Sequence, residues 1–332
     1  MRILTCLLTA AATWLTATAP PAQAAEYTMK IGFVTRGDQN EDWANWYKEA
    51  LEKPSGGRIE VKIFPASQLG PAPRMLEGVQ LGTIEAVLMP ADFYVGLDAR
   101  YGVFSIPALF RDLKHGAATL ADPALNMEIL DLGEPKGLVG ITVFAYSPAH
   151  YLGKRPIRTL DDFKNKKFRV NATPAERERM RVLGATAVPM PLPEVIPALD
   201  RGTIDGTHSA MSVFVNFKFN DIAKTITQTD DTLLVPVGVI SKAWLSKLPP
   251  DLAQLVVQEG RKLQSRVQAA SFRFEEEMQK KWRAAGGEVV QLPAADQARL
   301  LQLLRPIGAD VTKGEPGLSQ LYKRVVDVAA RH

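Results

Sequence analysis

Apolar and polar positions alternate over residues 27–34, where Tyr27, Met29, Ile31 and Phe33 share one side, and this predicts a first strand. The period then changes. Trp43, Trp46, Tyr47 and Ala50 recur at helical spacing within 42–51, which predicts a helix with an aromatic core face. A Pro-Ser-Gly-Gly turn at 54–57 leads to a second strand at 59–64. Strand, helix, strand implies a right-handed crossover and a parallel pair. A helix over 73–81 ends at Gly82, and 84–89 reads as a buried strand. An apolar turn at 106–110 precedes helical segments around 114–132. The apolar strand at 139–146 is long enough to run from one domain into the next.

Residues 166–206 repeat the strand, helix, strand, helix order. The strand is 167–171, and Thr173-Pro174-Ala175-Glu176 has the form of a capping box with Pro at the first helical position. That helix stops at Gly184. The pattern next predicts a helix over 207–220 and a strand over 232–240. Residues 251–285 read as one unbroken helix, with Leu252, Val256, Val267, Met278 and Trp282 on a single stripe. At that length it spans roughly 50 Å, enough to pack along two domains. A strand at 288–292 and helices after Pro293 and Gly317 close the chain.

Within this α/β pattern one cation stands out. Arg169 lies near the end of its strand, one short turn before a helix N-terminus. Free N–H groups, the positive end of the helix dipole and a planar guanidinium fork converge where a carboxylate would sit. The alternative is an Arg that caps a carbonyl or pairs with Asp161 or Asp162 on the surface. Arg36 follows the first strand, where α/β folds place ligands, or it is simply solvated. Enzyme signatures are absent: the sequence has no G-x-S-x-G, no P-loop and no H-E-x-x-H. Asp205, His208 and Ser209 are adjacent enough to suggest a hydrolytic triad, but triads are assembled from distant segments. His208 either lines a pocket or bonds a neighbouring backbone group.

The start of the chain adds a destination. Met1-Arg2, an apolar stretch and Ala22-Gln23-Ala24 form a secretory signal, with cleavage expected after Ala24. The single cysteine, Cys6, lies inside it, so the mature chain has no disulfide or thiol chemistry. A net charge of only +4, with no basic block, argues against nucleic acid as a partner. The four histidines are scattered, so no metal site is predicted.

An ordered set of short motifs then carries a resemblance. It comprises Gly57-Arg58-Ile59-Glu60-Val61, Phe64-Pro65-Ala66-Ser67-Gln68-Leu69-Gly70, Ile106-Pro107-Ala108-Leu109-Phe110, Lys166-Lys167-Phe168-Arg169-Val170 and Ala198-Leu199-Asp200-Arg201-Gly202-Thr203-Ile204-Asp205-Gly206. The chain resembles the substrate-binding subunit of a tripartite ATP-independent periplasmic (TRAP) transporter of the DctP type. The resemblance implies a periplasmic-binding-protein-like α/β fold, two lobes with mixed sheets around a hinge and a long helix spanning both. Residues 25–146 with 235–274 would form one lobe, and 147–234 with 275–332 the other. It also implies no catalysis and no cofactor, an organic acid held by Arg169 as the lobes close, and delivery to a membrane permease from the periplasm. A monomer is expected.

The chain departs from that pattern in places. A second arginine that many relatives carry is replaced by Ser147-Pro148-Ala149-His150, and Thr207, His208 and Ser209 stand where relatives have Glu or Gln and then Asn or Trp. The pocket is therefore expected to be less charged, with Asn171 and Ser209 as polar contacts and Met89, Pro90, Tyr146, Leu192 and Phe214 as walls. That favours a monocarboxylate with an apolar or aromatic body, or else a small hydroxy or oxo acid. A hydrolase using His208 and Ser209, or a binding module serving a sensor, are the rival readings.

Overall fold

A computed structural model describes residues 25–332, so the expected signal sequence and Cys6 lie outside the described residues. Two sheets organise the chain. The first has the order β2-β1-β3-β11-β4, built from β1 (Tyr27–Gly32), β2 (Ile59–Phe64), β3 (Ala86–Pro90), β4 (Leu138–Val143) and β11 (Pro236–Ser241). β1 lies parallel to both β2 and β3, as the crossover requires, whereas β11 runs antiparallel between β3 and β4. The second sheet has the order β12-β9-β5-β8-β6-β7. Its members are β5 (Ser147–Gly153), β6 (Lys167–Val170), β7 (Thr186–Pro189), β8 (Gly206–Ala210), β9 (Thr225–Gln228) and β12 (Glu288–Gln291), while β10 (Leu233–Leu234) pairs with β5. The architecture is α/β with two lobes and mixed sheets.

The chain passes between the sheets three times. Between β4 and β5 it runs extended through Phe144, Ala145 and Tyr146. It returns from β10 to β11, so the apolar stretch at 232–240 is two short strands in different sheets rather than one. The third passage is helical, and here the expected continuous helix is corrected. Pro250–Lys262 and Gln264–Ala284 are separate, because Leu263 (ψ −10°) tightens one turn. Gly260 lets the first half press onto β4, since a Cβ there would meet the Ile141 Cβ at 2.9 Å. Gln264 and Gln268 tie the second half to the first crossing: their amide oxygens accept from Val143 N (3.2 Å) and Ala145 N (2.8 Å). No Pro or Gly marks the break, so the pattern of apolar positions runs straight through it.

A second correction concerns residues 207–220. Their first part is β8, paired antiparallel with β5 and parallel with β6, and the helical part is Met211–Asn216, followed by a short 3-10 turn at Phe219–Asp221. Every β8 residue is buried, so the run has no polar alternation to distinguish strand from helix.

Asp38 starts the Gln39–Glu52 helix by accepting from the Asn40 and Glu41 amides. Trp43 and Tyr47 of that helix are fully buried with ring centroids 4.8 Å apart, whereas Trp46 is half-exposed beneath the Arg266 guanidinium. Behind β6, Phe163, Phe168 and Tyr151 pack edge to face or tilted at 4.8–5.7 Å. Each such buried side chain contributes about 1.5–3 kcal/mol. The last helix, Pro316–Ala329, packs on the 99–105 turn and the Leu113–Leu120 helix. Among the described residues no helix is long and apolar enough to cross a membrane.

Candidate functional site

β6 alternates, so Phe168 and Val170 enter the core while Arg169 takes the opposite side. Arg169 is only 2% exposed. Its Nε donates to Met190 O at 3.0 Å. Among the described residues its two terminal nitrogens have no hydrogen-bond partner, and no carboxylate oxygen lies within 4 Å. Burial lowers its pKa, opposed by the fields of Glu176 and Asp92. An ionised group in such a place is costly unless an anion joins it.

Nearby, the helix start follows the Thr-Pro-Ala-Glu pattern with one addition. Thr173 Oγ1 accepts from Glu176 N (3.1 Å), and the Glu176 carboxylate accepts from Asn171 N (2.8 Å) while the Thr173 amide also favours its ionised form. The positive end of this helix is thus answered by its own buried carboxylate. The dipole is not left over for a ligand, and Arg169 stands alone.

Arg169 lines a cavity of about 30 Å³ between the lobes, enough for two or three water-sized groups. The first lobe contributes Val34, Thr35, Asn40, Pro90 and Phe93, and the second Asn171, Leu192, Ser209 and Val213. Tyr146 closes the back at the crossing. Its Oη donates to Asp38 Oδ2 (2.5 Å) and lies 2.6 Å from Ser212 Oγ, so the helix cap, the crossing and the second lobe meet at one hydroxyl. Burial raises the Asp38 carboxyl, against hydrogen bonds from Thr35, Tyr146 and two backbone amides. Val34, Phe93, Asn171 and Leu192 also border a more open chamber of about 220 Å³. Its other walls include Pro71, Pro73, Pro189, Met190, Pro191 and Pro193.

Six of the residues singled out in the sequence therefore share this cavity: Pro90, Tyr146, Arg169, Asn171, Leu192 and Ser209. Four do not. Met89 alternates away from Pro90 into the core, fully buried. Phe214 packs on Phe219 at 5.5 Å, and its helical neighbour Val213 takes the wall instead. Arg36 is exposed and clasps the other lobe: its Nε and Nη2 donate to Asn216 O (3.2 and 3.0 Å), and it lies 4.7 Å over Phe217. Asn216 answers by donating to the Arg36 and Gly37 carbonyls (2.9 Å each).

His208 faces the interior of the second lobe, stacked on Tyr151 at 4.4 Å. Burial, with the Arg179 charge, lowers it to about 3, so it is neutral, and its Nδ1 accepts from Arg179 Nη1 at 3.1 Å. His208 and Ser209 are consecutive on β8 and point to opposite faces, while Asp205 Oδ2 accepts from Lys167 N (2.8 Å). The three do not form a triad.

Sequence reasoning missed Arg179. It is fully buried, 3.3 Å from Asp231, and donates to Ser105 O (3.0 Å) and Thr232 Oγ1 (2.5 Å). In a stretch as charged as Ala-Glu-Arg-Glu-Arg, nothing local separates it from a solvated arginine. It also missed Asp92, whose Oδ2 accepts from Asn171 Nδ2 across the groove at 2.9 Å.

Two lobes joined by crossing segments, with a buried cation in the groove between them, form the frame of a solute-binding protein. The chain belongs to the bacterial extracellular solute-binding proteins, family 7 (DctP), which match residues 33–314. It is similar to the 2,3-diketo-L-gulonate-binding periplasmic protein YiaO of Escherichia coli K12, 27% identical over 86% of this chain and 81% of that protein. A TRAP periplasmic solute-binding protein of Xanthobacter autotrophicus Py2 with bound β-D-galacturonate superposes with a TM-score of 0.83 at 27% identity, covering 90% of this chain and 99% of that one. One from Desulfovibrio salexigens with bound orotic acid superposes at 0.86, with 24% identity and coverage of 92% and 99%, a likeness of fold.

Proposed function

We propose that residues 25–332 act in the periplasm as the receptor of a TRAP transporter, taking an organic acid by its carboxylate on Arg169 and presenting it to a membrane permease. The observation that carries this reading is the unpaired guanidinium, buried to 2% exposure at the wall of the interlobe cavity. A carboxylate satisfies both terminal nitrogens at once. The resemblance to binders of 2,3-diketo-L-gulonate and β-D-galacturonate, both carboxylates, supports it. Ligand contacts made to both lobes only when the groove is shut drive closure.

The lobes divide near Tyr146 and Leu234, with 147–234 in the second lobe. The ligand is a monocarboxylate. Its head fits the cavity at Arg169, and its body enters the proline-walled chamber, whose 220 Å³ exceeds the about 150 Å³ that suffices to hold benzene. The chain works as a monomer, released from a signal sequence after Ala24.

Calorimetric titration tests the reading with acids and their primary amides. Acids that bind are expected to lose at least ~100-fold in affinity in Arg169→Ala, with the amides binding neither form. Equal affinity for wild type and variant would sink the assignment.

A further inference from the structure

Two residues that line this cavity each carry a buried amide oxygen with no partner. Asn40 and Asn171 each line it, one from each lobe, and in each the Oδ1 atom makes no hydrogen bond among the described residues. Their orientations are fixed from behind. Asn171 Nδ2 is committed to the Asp92 carboxylate at 2.9 Å. Asn40 Nδ2 donates to Thr35 Oγ1 at 3.0 Å, and that hydroxyl in turn bonds Asp38. Flipping either amide would set an oxygen against an acceptor, so each is held with its acceptor end unused. A buried acceptor left unpaired is costly, and a site containing two of them discriminates strongly between ligands with and without a donor.

We infer that the ligand carries a hydroxyl close to its carboxylate, and that Asn40 and Asn171 select for it. This rests on the carboxylate reading of Arg169 and names the chemistry beside it. Asn171 is two residues beyond Arg169, just past the end of β6, which keeps the donor position close to the carboxylate. A 2-oxo acid brings only another acceptor to these oxygens. A second carboxylate brings a further anion toward Asp92 and Glu176, which already lie within interaction range of Arg169. The class singled out is the hydroxy monocarboxylic acid, in preference to its oxo and deoxy analogues and to dicarboxylates.

Matched acids test this by calorimetry: lactate, pyruvate and propionate on a short skeleton, and mandelate, phenylglyoxylate and phenylacetate on an aromatic one, with succinate as the dicarboxylate. In at least one series the hydroxy acid is expected to bind about tenfold or more tightly than its oxo and deoxy partners, and than succinate. Asn40→Ala and Asn171→Ala are each expected to erase most of that ratio by weakening the hydroxy acid far more than the deoxy acid, a split that a general loss of structure does not produce. Asn40→Ala keeps the Asp92 contact intact, so it decides the matter if Asn171→Ala folds poorly. An oxo or deoxy acid bound as tightly as the hydroxy acid, or a ratio unchanged in Asn40→Ala, overturns the hydroxyl assignment and leaves the carboxylate reading standing. If none of the seven acids binds, or if binding survives Arg169→Ala, both are overturned.

Discussion

Two buried arginines lie on neighbouring elements of the second lobe, and the structure gives them opposite energetic roles. Arg179 is 3.3 Å from Asp231, and both are fully buried. Replacing it with methionine, similar in bulk, leaves the Asp231 carboxylate facing a neutral His208 and removes donors to Ser105 O and Thr232 Oγ1. Breaking a buried pair in this way costs about 3–5 kcal/mol. Arg169→Met removes a cation with no carboxylate oxygen within 4 Å, only the more distant fields of Glu176 and Asp92, and one hydrogen bond, to Met190 O. The lost bond and the relieved desolvation oppose each other, and unliganded stability is expected to stay within about 1 kcal/mol of wild type.

Urea denaturation followed by the fluorescence of buried Trp43 and Trp282 measures both variants. The Arg179→Met deficit is also expected to shrink toward acid pH. The Arg179 charge holds the native Asp231 carboxyl below its usual range, a contribution present at neutral pH and lost as pH falls through that lowered value. If the two variants differ by less than about 1 kcal/mol at neutral pH, or if Arg169→Met is the costlier, the distinction between a paired and a waiting cation is wrong.

Two further outcomes follow from contacts across the groove. Burial and the Glu176 charge push the Asp92 carboxyl up to about 6 from an ordinary value of 3.8. The folded state thus holds this proton more tightly, and the stability it contributes is complete below about pH 4 and lost as pH rises through about 6, by roughly 3 kcal/mol at most. The stability difference between wild type and Asp92→Asn is expected to move by that order between pH 4 and 7, and a pH-independent difference contradicts it. Arg36→Ala removes two hydrogen bonds and the stack on Phe217, exposed contacts worth about 1 kcal/mol together. Stopped-flow release of a bound acid should then speed up about fivefold with global stability lowered by no more than about 1 kcal/mol, and an unaltered release rate means the clasp does not hold the lobes shut.

The sequence made the strands of the first sheet and the arginine on β6 legible because they depend on local signals, namely apolar runs or alternation, a Thr-Pro helix start and a glycine stop, whereas β5 and β9 of the second sheet went unread. What stayed hidden depends on partners far away in the chain. Arg179 reads as solvated until Ser105, His208 and Asp231 surround it. Asn40 reads as an ordinary first-turn residue until Thr35 fixes its amide. Residues 207–210 are buried throughout, so their missing polar alternation concealed a central strand, and with it the fact that His208 and Ser209 face apart. The turn at Leu263 was invisible because the stripe of apolar side chains continues across it. Met89 and Phe214 were each misplaced by one position, the smallest error a strand or helix permits and enough to move a side chain from wall to core.

The crossing segments do more than connect. Phe144 N donates to Pro236 O and Tyr146 N to Leu234 O, so the outgoing and returning strands form one ribbon. The Gln268 side chain grips both the N–H and the C=O of Ala145, lashing the helical passage to the same ribbon. If the lobes close on a ligand as proposed, a joint of this kind would bend more readily about one axis than it would slide or twist. The outer rims would then approach along one arc, and a partner touching both rims would read occupancy of the interior as a change in the spacing of its own footholds.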